Sequence, residues 1–82
     1  MTFAGNLRRL RVGRFLSQRE LARQAGLHPV TLARLEAGRA APSTRSVRAL
    51  AVVLGVEPRE LTSPDEVAEL RRAARTLRGG GG

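Results

Sequence analysis

The 82-residue chain has no cysteine, tryptophan, tyrosine or lysine, and its only aromatic residues are Phe3 and Phe15. Without thiols there is neither a disulfide framework nor a thiolate metal site, which fits a reducing compartment. The scarcity of aromatics argues against the stacking platforms that hold RNA or single strands. No apolar run is long enough for a signal peptide or a membrane span, so a cytoplasmic location is expected. His28 is the single histidine, and alone it supplies neither a metal site nor a Ser-His-Asp relay. No nucleophile–base pair, carboxylate dyad or phosphate-cradling loop can be found, so an enzyme is not expected and no cofactor is implied.

What the chain has in excess is arginine. Fifteen basic residues, all Arg, stand against 7 acidic ones, a net charge of +8. A polyanionic partner follows, and with so few aromatics duplex DNA is the better-matched one. The charge is unevenly placed, with 11 Arg and 4 acids in residues 1–62 against 4 Arg and 3 acids in 63–82. The polyanion surface therefore belongs to the first part. Eighty-two residues make one small domain with a limited core, for which a helical bundle or an oligomer is the economical solution.

The chain is organised around Ser17 to Gly38. Ser17 and Glu20 form a capping box that starts a helix near Gln18, with Leu21, Ala22 and Ala25 on one face and Gly26 to end it. Pro29 sits where a helix prefers proline, so a second helix begins close to His28. Leu32 and Leu35 point inward, Val30, Ala33, Arg34 and Ala37 turn away, and Gly38 stops it. Two short helices joined by a tight glycine-containing turn form a helix-turn-helix motif.

The flanking segments are helical too. Phe3 to about Gly13 places Phe3, Leu7 and Leu10 on one stripe and Arg8, Arg9, Arg11 and Arg14 on others, where each faces either phosphate or water. Leu16, just before the cap, is placed to form a hydrophobic staple with Leu21. After a loop marked by Pro42, Ser43 or Thr44 starts a helix with Val47, Leu50, Ala51 and Leu54 inward and Gly55 at its end. Glu57-Pro58 opens a short fifth helix whose Leu61 seals the core. A further capping box, Ser63 with Glu66, starts a last helix over 63–78 with Val67, Leu70, Ala74 and Leu77 on one side; it packs back on the domain or pairs with a second copy. Gly79 to Gly82 read as a flexible tail. The fold class expected is all-α: five helices within residues 1–62, plus an additional C-terminal helix.

LSQRELARQAGLHPVTLARLEAGRAAPS followed by VRALAVVLGVEPREL closely resembles the Cro/phage-repressor helix-turn-helix family, also called the xenobiotic-response-element class. The resemblance covers roughly Leu7 to Leu61. Its markers are Ser17-Gln18, Glu20-Leu21-Ala22, Gly26, Leu35-Glu36-x-Gly38, Pro42, and Leu50-Ala51 to Leu54-Gly55. It implies a five-helix repressor-like bundle that binds a two-fold DNA operator as a homodimer. By resemblance His28, Pro29, Val30, Thr31 and Arg34 face base edges, with Arg34 suited to guanine and Val30 to a thymine methyl. Gln18, Arg39, Ser43 and Arg45 match phosphate-binding positions, and Arg11 and Glu36 match an internal salt bridge that ties the first helix to the recognition helix. Two departures stand out. Pro29 and Val30 make the reading surface more apolar than is usual, so relatives' operators do not transfer, and Phe15 occupies a position where glycine is common. The function implied is a sequence-specific transcriptional regulator, a repressor acting by occlusion; the alternative is an antitoxin-type protein that binds a partner protein through its last helix and regulates its own operon.

Overall fold

A computed structural model describes the backbone of residues 2–81 and the side chains of residues 2–73. Six helices follow one another: α1 (Phe3–Gly13), α2 (Gln18–Ala25), α3 (Pro29–Glu36), α4 (Thr44–Leu54), α5 (Pro58–Leu61) and α6 (Pro64–Gly81). Among the described residues no helix is long and apolar enough to cross a membrane. Each start has a local cause. Thr2, Ser17 and Ser43 accept the N–H of Gly5, Glu20 and Ser46 at 3.1, 3.0 and 3.1 Å, and His28 Nδ1 accepts that of Val30 at 3.1 Å. Each satisfies a first-turn donor that the helix itself cannot. The boxes at Ser17 and Ser63 are closed from the other side as well, Glu20 accepting the N–H of Ser17 and Glu66 that of Ser63.

The ends of α1, α2, α3 and α4 share one device. Phe15, Gly26, Gly38 and Gly55 all take left-handed φ values of 56, 72, 72 and 68°. In each case that residue's N–H and the next one bond back to carbonyls of the last turn, as in Phe15 N to Val12 O at 2.9 Å and Leu16 N to Arg11 O at 3.2 Å. Orphan carbonyls are thereby satisfied and the chain reverses sharply. Glycine adopts this conformation freely at three of the four positions; at the fourth the chain uses Phe15.

These reversals bring the leucines together. Leu7, Leu21, Leu32, Leu50, Leu54 and Leu61 are fully buried, with Phe3, Ala22, Leu35, Val47 and Ala51 completing the core and Leu16 packed against it. Truncating any one of these leucines should cost about 2–5 kcal/mol. Helix α2 packs on α3 and α4, while α1 packs on α3 and α5. Two polar residues share this interior: Asn6, which donates from Nδ2 to the carbonyl of Leu61 at 3.0 Å and so ties α1 to the end of α5, and Thr62, whose Oγ1 donates to the carbonyl of Pro58 at 3.3 Å. An inward helical position filled by an amide between Phe3 and Leu7 was the available signal for Asn6 in the sequence.

Helix α6 lies against the start of α1. Glu66 accepts the N–H of Phe3 at 2.9 Å, a first-turn donor of α1, and Leu70 packs on the core. The helix runs to Gly81 rather than stopping at Arg78, taking in most of the segment read as a tail. Gly82 lies outside the described residues, as do the side chains of Ala74 and Leu77, the rest of the expected apolar seam, and those of Arg75 and Arg78.

Candidate nucleic-acid interface

Helix α3 divides cleanly by exposure. Leu32 and Leu35 are buried, while His28, Pro29, Val30, Thr31 and Arg34 are all exposed, with Val30 58% open to solvent. The first turn of α3 and the side of the helix away from the core therefore present one short surface of imidazole, pyrrolidine, isopropyl, hydroxyl and guanidinium. Its first turn is held rigid by two features that the sequence supplies, Pro29 at the first helical position and His28 as the cap. Because His28 Nδ1 accepts the Val30 N–H, the neutral ring carries its proton on Nε2, which points a donor outward.

Flanking this surface are the ends of two other helices. At the start of α2, the N–H groups of Gln18 and Arg19 have no acceptor within the helix, and such free N–H groups favour an oxyanion. The N–H of Glu20 is taken by Ser17 Oγ. The carboxylate of Glu20, bonded by the Ser17 N–H and then by the Ser17 hydroxyl, with Arg23 nearby, is held below its ordinary pKa. At the other end, Arg39, Ser43 and Arg45 are exposed along the α3–α4 loop and the first turn of α4. Ser43 Oγ is engaged as the α4 cap and lies 3.0 Å from Ser46 Oγ.

Behind the surface, Glu36 gathers α1, α2 and α3. Its side chain is 3% exposed and accepts Arg11 Nε at 2.5 Å, Arg11 Nη2 at 3.0 Å and Gln18 Nε2 at 3.0 Å. Arg11 uses its remaining terminal nitrogen, Nη1, on the carbonyl of Leu16 at 2.8 Å. A carboxylate can only accept, so the amide of Gln18 is oriented with nitrogen inward. One of its N–H bonds is thus committed inside the protein. The structure brings Arg11, Glu36 and Gln18 into one cluster and leaves His28, Pro29, Val30, Thr31, Arg34, Arg39, Ser43 and Arg45 exposed at the surface. The link from Gln18 to Glu36 was not anticipated, because spacing along the chain does not reveal which side-chain amide meets a partner 18 residues away.

The helix-turn-helix family model matches residues 7–61. Among solved structures the chain is similar to the restriction-modification controller protein C.AhdI from Aeromonas hydrophila, with 39% identity, a TM-score of 0.70, and coverage of 72% of this chain and 89% of that one. It is also similar to the hypothetical transcription factor NHTF from Neisseria, with 34% identity, a TM-score of 0.69, and coverage of 84% and 79% respectively. A search of curated proteins gives no match. The chain belongs to the Cro/repressor-type helix-turn-helix family, and it is a DNA-binding transcriptional regulator.

Proposed function

We propose that the protein is a repressor that binds a palindromic operator as a homodimer and acts by occluding the promoter. The observation that carries this reading is the sorting of α3, which buries Leu32 and Leu35 and turns His28, Pro29, Val30, Thr31 and Arg34 outward. A helix so presented enters the major groove. There Arg34 donates two hydrogen bonds to guanine O6 and N7, and the apolar Val30 lies against a thymine methyl. Gln18, Arg39, Ser43 and Arg45 hold phosphates on either side and set the register of α3 without reading sequence. Arg11 and Glu36 keep the three helices in fixed relation. Residues 1–62 carry DNA binding, while α6 packs on that unit and contributes to the dimer.

Selection of bound sequences from a random duplex pool tests this. The expected result is a two-fold consensus with half-site centres about one helical turn, roughly 34 Å, apart. Arg34→Ala should relax one position in each half-site, at a cost of about 1–3 kcal/mol, and leave the others unchanged. Affinity should fall steeply with salt, corresponding to about 4–6 phosphates per protomer. An enriched pool without two-fold symmetry would remove the dimeric reading.

A further inference from the structure

A second concentration of positive charge lies outside the surface formed by α3. Helices α4, α5 and α6 border a groove of about 750 Å3 with an apolar floor that includes Val47, Val67 and Leu70, lined also by Arg45 and Arg48 of α4, Arg59 of α5 and Arg71 of α6. No acidic residue lines it. Among the described residues the ion pairs are Arg11 with Glu36 and Arg72 with Glu69, so none of the four guanidiniums of the groove is neutralised by a carboxylate. The contrast with the other side of α6 is sharp. There Asp65, Glu66 and Glu69 line a separate groove shared with Arg39 and Arg72. Helix α6 therefore sends its first-turn acids to one side and Arg71 to the other.

Four like charges around one concavity repel one another and focus a positive potential into it. Guanidinium is also the cation whose planar fork best fits the oxygens of a phosphate. Arg45, one of the residues assigned above to phosphate, is also one of those that line the groove, and Arg48 follows it one turn further along α4. We propose that this groove is a phosphate-binding channel that takes the backbone of the bound duplex beyond the half-site read by α3. The inference rests on the DNA interface proposed above and extends it to Arg48, Arg59 and Arg71. The recognised chemistry is the phosphate oxyanion; a free polyphosphate carries the same chemistry, and the experiment separates the two sources.

The test uses the full chain and two variants, the double substitution Arg48→Gln with Arg59→Gln, and Arg71→Gln alone. All three residues are exposed, and thermal melting confirms that each variant is folded. Binding is measured against salt on a duplex trimmed to the selected consensus and on the same duplex extended by one helical turn at each end. Binding of inorganic tripolyphosphate is measured alongside. The expected result is a steeper salt dependence on the extended duplex for the parent protein, a slope reduced by about 0.9 for each arginine removed on that duplex alone, and an unchanged consensus. Tripolyphosphate binding that the variants lose, with both duplex slopes unchanged, would support a phosphate site but assign it to a free anion. Equal reductions on both duplexes would contradict a path beyond the half-site. Unchanged slopes together with unchanged tripolyphosphate binding would overturn the site altogether, while leaving the reading of α3 intact. Failure of the parent protein to bind any selected duplex, with tripolyphosphate binding lost in the variants, would instead remove the DNA interface and keep the groove.

Discussion

Replacing Phe15 with glycine should stabilise the protein, although it deletes a whole aromatic side chain. Phe15 is 94% exposed, so its removal forfeits almost no buried surface. Its backbone sits at φ 56°, in the left-handed region, which costs an L-residue about 1–2 kcal/mol and glycine nothing. Glycine in turn loses more freedom on folding, roughly 0.5–1 kcal/mol. The balance is a gain of about 0.5–1 kcal/mol, or about 2–8 °C in Tm for a domain of this size. Phe15→Ala is the control, because alanine keeps the Cβ that causes the strain; its Tm should stay close to that of the parent. Gly26→Ala is the reciprocal experiment. At φ 72° with nothing within 4 Å of the added Cβ, its loss is conformational only and should amount to about 1 kcal/mol. Differential scanning calorimetry on the four proteins decides the matter. A Phe15→Gly protein that melts below the parent, or an alanine variant that gains as much as the glycine one, would refute the argument from backbone strain.

Arg11→Ala should cost about 3–5 kcal/mol in chemical denaturation, since it strips two of three donors from a carboxylate that is 3% exposed. Replacing Arg11 and Glu36 together by apolar residues of similar size should cost less than the single change. His28→Ala should lower stability by about 1 kcal/mol through loss of the α3 cap, whereas His28→Asn should retain stability and alter only DNA affinity. The carboxyl of Glu20 is held below its ordinary pKa in the folded state. Its contribution is therefore present above the unfolded value of about 4.3 and is lost as pH falls through the lower folded one. Glu20→Gln should accordingly flatten the acid side of the Tm–pH profile; an unchanged profile would show that the capping box contributes nothing through charge.

The helices were legible in the sequence because their signals are local. Ser17 with Glu20, Ser63 with Glu66, Pro29 behind His28, and the glycines at 26, 38 and 55 each act within one turn of chain, and the leucine spacing names the inward face directly. The family pattern added the pairing of Arg11 with Glu36, which no periodicity contains. What stayed hidden involves partners distant in sequence. The bond from Asn6 to Leu61 spans 55 residues, that from Phe3 to Glu66 spans 63, and the Gln18 amide meets Glu36 only once α2 and α3 have crossed. The departure at Phe15 was visible as a missing glycine, but the outcome required coordinates. The chain keeps the same left-handed reversal and accepts the strain, instead of rerouting between α1 and α2.

The role proposed for Arg34 is to read a base edge from α3. Its most direct test is a double-mutant cycle across the interface, pairing Arg34→Ala with a duplex in which the consensus guanine is replaced by 7-deazaguanine, which lacks only the N7 acceptor. The parent protein should lose about 1.5–3 kcal/mol on the altered duplex, the range for a hydrogen bond from a charged donor. Arg34→Ala should lose nothing further. Equal losses in both proteins would mean that Arg34 does not touch that base, and the assignment of α3 as the reading helix through this residue would be contradicted.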